Sequence, residues 1–346
     1  MGHGIKVRDV FGEVRTLGQR AWHGLGVALP ENLNAEEGFK HVGLGWGTEL
    51  LPMVGVFPDN STISAPDNFM HVRSDTKDLL GVVGPKYKPV DNMALARFAD
   101  SLVGADARVQ LETAGSLYNG RKVFCSVKLP KTIEVVKEDI LELYVIISTS
   151  HDGSSATHAY PSSIRPVCAN TLGWSERDLC RGLRMSHTGH IEQKLDKVRA
   201  ALGIVVKETE RFEEDIKTAL RLQLTKKQAQ AYFEAVYDKV FGKPTAKAEQ
   251  PEGTDEGTAD ESLDTRQKHK AKIVAHWLEL LDDPRQNIKG ITGTGWAAYN
   301  AFSQWSDHER GNMRGVCESD VRVHSNLFGI GALTKKRAWE MVLSTK

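Results

Sequence analysis

The chain has 346 residues, 40% of them hydrophobic and 26% charged, a globular balance that excludes fibrous and wholly disordered classes. The 45 Lys and Arg residues balance 45 Asp and Glu, so the formal charge is zero and bulk attraction to nucleic acid is excluded; any such site must come from local segregation of charge. Cys125, Cys168, Cys180 and Cys317 form no CxxC pair and read as free thiols; with no long apolar run and no signal-like start, the expected location is the cytoplasm, without membrane contact.

The first 50 residues are punctuated by Gly24, Gly26, Gly38, Gly43, Gly45 and Gly47 and read as a loop-rich wrap with one short helix near Ala35 to Val42. LLPMVGVF, FMHVR and LLGVVG then follow as short strands bounded by turns. Asp91 is placed to cap a helix over Met93 to Leu102, where Ala94, Leu95, Phe98 and Leu102 share one face. Asn119-Gly120, between two alternating runs from Arg108 and from Lys122, predicts a hairpin with a type I′ turn, because that pair tolerates positive φ. After the turn Val123, Cys125, Val127 and Leu129 oppose Lys122, Phe124, Ser126 and Lys128, which predicts one buried and one wet face. Strands over Leu141 to Ser150 and Ala156 to Tyr160 extend an antiparallel sheet of at least four strands.

Beyond Thr188 the period changes. Ile191, Leu195, Val198, Leu202, Val205, Thr209, Phe212 and Ile216 form a coiled-coil-like seam, to be covered by neighbouring helices or by another protomer. Thr225 and Gln228 form a capping-box pattern ahead of a second helix. Seven acids and no base between Glu249 and Asp264 predict a disordered linker, and helices follow over Thr265 to Leu281, Trp296 to Trp305 and Leu333 to Leu343. The expected fold is α+β: residues 1–187 an antiparallel sheet core with its wrap, 188–243 a helical hairpin, 244–264 the acidic linker, and 265–346 helices packed back on the core.

Chemistry-bearing residues concentrate at a strand end, in Ser150, His151, Asp152, Gly153, Ser154 and Ser155, and shortly after it in Ser163, Arg165, Cys168, Asn170 and Thr171. One reading makes Cys168 a nucleophile, His151 or His158 its base and Asn170 the orienting group; the other makes Cys168 a structural thiol under a helix start. His187 and His190 lack a second close pair of ligands, so no metal is expected, and without a Walker loop or dinucleotide fingerprint no cofactor is expected either. Lys86, Tyr87, Lys88, Arg108, Arg121, Lys122, Lys128, Arg165, Arg177, Arg181 and Arg184 concentrate basic and aromatic character near the sheet, which reads as a solvated face or as a single-strand binding surface.

AWHGLGV near Trp22, LLGVVGPKYKPVDN, ETAGSL with GRKVF, STSHDGSSA, RPVCANTL, HTG at His187, GTGWAAYNAFSQWSDH and LFGIGA resemble the phage/plasmid-like protein family, defined by a bacterial and viral domain of unknown function. The resemblance covers nearly the whole chain outside the acidic linker. It implies a setting of phages and mobile elements and supplies no catalytic residues. The order of elements is also similar to the core of single-strand annealing proteins, which form rings or filaments around single-stranded DNA. The expected function is therefore a non-enzymatic single-stranded DNA-binding and annealing protein of recombination or replication, acting as a homo-oligomer, with Arg121, Lys122, Lys128 and Arg165 on phosphates and Tyr87 or Phe124 stacking on bases. The alternatives are an enzyme with a pocket of His151, Asp152, Arg165, Cys168 and Asn170, or a non-catalytic interaction protein.

Overall fold

The computed structural model of the chain describes residues 11–12, 34–103, 110–137, 139–165, 170–173, 184–185, 209–242, 256–310, 324–327 and 329–345. The wrap before residue 34 apart from Phe11 and Gly12, Cys168, His187, His190 and the seam from Ile191 to Val205 lie outside the described residues, as do Arg108, Arg177 and Arg181.

A capping box opens the first helix, α1 (Ala35–His41): the Asn34 side chain accepts from the Glu37 N–H, and Glu37 accepts from the Asn34 N–H. Strands β2 (Thr48–Val56), β3 (Thr62–Arg73) and β4 (Leu79–Val83) form a small antiparallel sheet, here sheet B. The second helix, α2 (Asn92–Val103), starts where the Asp91 carboxylate accepts from the Met93 N–H, as its sequence position predicts.

Sheet A is larger and also antiparallel. It comprises β1 (Phe11–Gly12), β5 (Gln110–Leu117), β6 (Lys122–Val136), β7 (Asp139–Ser150) and β8 (Thr157–Arg165) in that spatial order, with β9 (Asn170–Gly173) and β10 (Arg184–Met185) both on the outer side of β8. The α+β class expected from the sequence is what the chain adopts, but in two sheets rather than one. Strand β4 pairs with β3, and the chain then leaves into α2, which packs on β5, β6 and β7 instead of letting the strands join.

The β5–β6 hairpin turns at Asn119 and Gly120 with φ of 58° and 93°, closed by the Arg121 N–H donating to the Tyr118 carbonyl at 3.3 Å, the pattern of a type I′ turn. Tyr118 is also left-handed, at φ 55°, so strand pairing ends one residue earlier on each side, at Leu117 opposite Lys122. Gly120 is required twice over, since a Cβ there would stand 2.9 Å from the Trp46 ring.

Pro130 marks a break in β6. The register slips between Lys128 and Thr132, where Pro130 has no N–H to give the ladder. Before the break Val123, Cys125 and Val127, with Val145 and Ile147, pack on Phe39, Leu95, Phe98 and Ala99 of α1 and α2. After it Ile133, Leu141 and Leu143 join a second core made by the C-terminal helices.

Those helices are the helical residues 209–221, α3 (Lys226–Phe241), α4 (Glu256–Leu281), α5 (Gly295–Gln304) and α6 (Ile330–Ser344). Thr225 and Gln228 form the predicted capping box of α3. Phe233, Trp277, Trp296 and Phe302 are fully buried between the helices, and each such Phe contributes roughly 1.5–3 kcal/mol by leaving water. Trp296 Nε1 donates to Asp139 Oδ2 at 3.2 Å and fixes α5 to the start of β7. Of the apolar seam, the described Phe212 and Ile216 are covered within the chain, with the Phe212 ring 5.6 Å from Trp339.

Helix α4 begins at Glu256, inside the stretch 244–264 expected to be a disordered linker. Four of the seven acids, Glu256, Asp260, Glu261 and Asp264, fall at the N-terminal end of this long helix, where the macrodipole favours negative charge; the other three lie outside the described residues. Helix α5 runs into a π-helical turn, Trp305–Glu309, which carries Asp307 to Lys335 of α6 at 2.6 Å, both out of solvent.

Candidate nucleic-acid interface

Two loops and a hairpin turn meet at the end of sheet A where β7 finishes. The β4–α2 loop brings Tyr87, whose hydroxyl donates to the Ser150 carbonyl at 3.0 Å. The β5–β6 turn brings Arg121, whose carbonyl accepts from the His151 N–H at 2.7 Å. Consecutive residues of one strand end thus anchor both, and Lys86, Lys88 and Arg121 stand exposed around a half-buried Tyr87. Burial, with the negative Asp152 nearby, pushes the Tyr87 hydroxyl well above its usual range, so it stays a neutral donor.

Beneath this rim lies a closed polar cluster. The Asn92 amide donates to the carbonyls of Leu44 and Trp46 at 3.1 and 3.3 Å, which leaves its oxygen to accept from His151 Nε2 at 2.9 Å. His71 Nδ1 donates to the His151 carbonyl at 2.6 Å, and its ring meets those of Tyr87 and His151 edge-on. Desolvation holds His71 below the usual imidazole range, with the His151 carbonyl pulling the other way, so the ring is neutral. Arg73 stacks its guanidinium 4.3 Å over Trp46 and forks onto Asp75. Asp152 is pushed up by burial, but hydrogen bonds from Ser154, Ser150 and its own backbone together more than offset this and hold it below the usual carboxylate range.

Among the sequence-predicted phosphate and base contacts, Tyr87 and Arg121 are brought together at this rim, and the others are not. Lys122, Phe124 and Lys128 share one face of β6, the face expected to be wet, and that expectation is corrected: Phe124 is 1% and Lys122 6% exposed. Alternation specifies which residues share a face and says nothing about what covers it. Phe124 is a core residue here, out of reach of a stacking base. Lys128 donates to Glu142 at 2.9 Å, and the Tyr144 hydroxyl donates to the other carboxylate oxygen at 3.0 Å. Ser126, Ser148 and Ser162 lie on the same covered face with no hydrogen-bond partner among the described residues. Arg165 stands at the far end of β8, and its side chain lies outside the described residues.

The alternative thiol pocket is not assembled from its described members. His151 follows Ser150 at one end of β7, whereas Asn170 pairs with Arg165 just past the register position of Glu142 at the other. Eight strand residues separate these ends, about 26 Å at a rise of ~3.3 Å per residue. An antiparallel return necessarily carries the end of β8 away from the end of β7, which nearness in sequence conceals. His151 is moreover fully buried and bonded at Nε2, and the described cysteine, Cys125, is buried with its thiol pushed far up by desolvation. His158, the other candidate base, lies on the covered face beside Ser148. Among the described residues no group of three or more His, Cys, Asp or Glu side chains suits a metal ion, and no helix is long and apolar enough to cross a membrane.

Sequence reasoning missed His71 and Asn92. A signal for Asn92 existed, since it stands one residue past the predicted cap at Asp91; His71 sits inside a strand-like run and carries no local cue.

A family model described as "Domain of unknown function (DUF932)" matches residues 79–328, from the first residue of β4 to just past residues 324–327. No curated protein and no solved structure matches the chain.

Proposed function

The chain belongs to the DUF932 domain family, and from that premise we propose that it binds single-stranded nucleic acid without catalysis, through the exposed end of sheet A. One observation carries the reading: a chain with no net charge gathers Lys86, Lys88 and Arg121 at a single rim around Tyr87, on a base stiffened by the His71, Asn92 and His151 hydrogen bonds. Cations on short, anchored loops neutralise phosphates without sequence preference, and a half-buried tyrosine offers a base a surface to rest on. Asp152 tempers the rim's charge, so the affinity belongs to modest, salt-sensitive binding. The setting implied by the phage/plasmid resemblance, strand annealing during recombination or replication in the cytoplasm, extends the same proposal.

Titration of a fluorescent oligonucleotide across a salt series tests it. Three neutralised phosphates give a log–log slope of about −2 for a single strand. Lys86→Glu, Lys88→Glu and Arg121→Glu together flatten that slope and abolish binding at moderate salt. Absence of binding by the wild-type chain at low salt removes the proposal.

A further inference from the structure

Arg310 closes the π-helical turn that follows α5: its N–H donates to the Trp305 carbonyl, five residues back, at 2.7 Å. Turns of this width recur at functional positions. The guanidinium stands 5.6 Å from the centre of the Trp305 ring and 5.8 Å from that of Phe241, the last residue of α3, so two aromatic rings fix its place. Phe241 is itself packed on Tyr237, at 4.5 Å between ring centres.

What this guanidinium lacks is an acceptor. Among the described residues no carboxylate or carbonyl takes a hydrogen bond from it; Nη1 is shut off from solvent without a partner, while Nε and Nη2 stay open to solvent. Burial pushes the group below its usual range, and no carboxylate pulls it back. Other cations drawn partly or wholly out of water are compensated: Lys335 by Asp307 at 2.6 Å, Lys270 by Asp238 at 2.8 Å and Lys128 by Glu142 at 2.9 Å. Glu309, the adjacent acid, is bonded to His276. Arg266 of α4 reaches the same Phe241 at its main-chain carbonyl, donating from Nη2 at 3.3 Å, and it too has no carboxylate partner among the described residues. The negative end of α3 accounts for Arg266, and stacking accounts for the place of Arg310, but neither fills the Nε–Nη2 edge.

We propose that this edge of Arg310 binds a small doubly charged oxyanion, a phosphate or a phosphate monoester, with Arg266 supplying the second positive charge. The Nε and Nη2 donors lie parallel in the guanidinium plane and match two oxygens of one tetrahedral anion, the bidentate contact that Arg makes and Lys does not. Two arginines without acid partners balance a dianion, whereas a carboxylate or a phosphodiester leaves one charge over. The stack on Trp305 and Phe241 holds the donor edge in place before the anion arrives, so little side-chain freedom is lost on binding. The inference stands apart from the nucleic-acid reading, whose cations gather at the end of sheet A.

Thermal unfolding of the full chain in rising inorganic phosphate, against chloride at the same ionic strength, is the measurement. Phosphate raises the wild-type melting temperature, as mass action requires of a ligand that binds the folded state, and chloride does not. Arg310→Met keeps a side chain to pack on Trp305 and Phe241 and abolishes the rise. In chloride it melts no lower than the wild type, because it removes an uncompensated cation. Arg310→Lys keeps the charge without the fork and weakens phosphate binding about tenfold. Arg266→Gln weakens it to a smaller extent, and the Lys86, Lys88 and Arg121 substitutions leave it unchanged. A rise that chloride reproduces, or one that survives Arg310→Met, overturns the proposal. So does displacement of phosphate by an oligonucleotide without a terminal phosphate, which would assign Arg310 to the backbone of a strand.

Discussion

His71 on β3 donates from Nδ1 to the main-chain carbonyl of His151, just beyond β7, at 2.6 Å, so one imidazole joins sheet B to sheet A. The ring is fully buried against those of His151 and Tyr87, and His151 in turn bonds Asn92.

A pH dependence follows from that burial. Desolvation lowers the His71 pKa below 6.5, so on acidification the unfolded chain takes up a proton that the folded chain refuses. Stability is therefore complete above about pH 6.5 and falls below it. Denaturant midpoints between pH 7.5 and 5 measure the decline, and His71→Gln flattens it while lowering stability at neutral pH. His276 works in the opposite sense. Its hydrogen bond to Glu309 raises its pKa, so its contribution is complete below pH 6.5 and is lost as pH rises through the raised value. Glu309→Gln removes that alkaline loss.

Glycine substitutions separate backbone need from incidental position. Gly120→Ala places a Cβ at positive φ and within 2.9 Å of Trp46, and costs about 1–3 kcal/mol in urea unfolding. Gly84→Ala meets nothing within 4 Å and leaves the midpoint unchanged within about 0.5 kcal/mol.

The buried Lys335–Asp307 pair gives an asymmetric result. Asp307→Ala leaves the ammonium of Lys335 in an interior that already depresses its pKa, and costs about 3–5 kcal/mol. The double replacement Asp307→Leu with Lys335→Met removes both charges and costs far less, and the cycle closed by the single Asp307→Leu and Lys335→Met variants on thermal unfolding reads strong coupling.

Phe124 and the rim divide stability from binding. Phe124→Ala destabilises by about 3–5 kcal/mol and leaves the oligonucleotide affinity of the folded protein unchanged. The Lys86, Lys88 and Arg121 substitutions lie on exposed positions and change affinity with little effect on the melt.

Much of the fold was legible because it rests on local chemistry. Asp91, Asn119-Gly120 and Thr225 with Gln228 each satisfy a turn or helix end within a few residues, and each appears where its pattern places it. Less legible was anything set by long-range packing. Lys122, Phe124 and Ser126 have a surface pattern and an interior position, because the cover over their face comes from elsewhere in the chain. His151 and Asn170 are close in sequence and a strand's length apart in space. The rim was half visible: Tyr87 and Arg121 were candidates, but their convergence depends on Ser150 and His151 receiving both loops.

The boundary of the family match has a practical meaning for where this protein can be cut. The match opens at Leu79, yet β4 takes its backbone partners from β3, and the Asn92 amide is satisfied by the carbonyls of Leu44 and Trp46. A chain trimmed to residues 79–328 would lose both, together with Trp46 beneath Gly120, His71 beneath His151, and the whole of α6, whose Trp339 covers Phe212. The smallest autonomous folding unit accordingly begins no later than Asn34 and reaches into α6, and the segments on either side of the match are structural members of it.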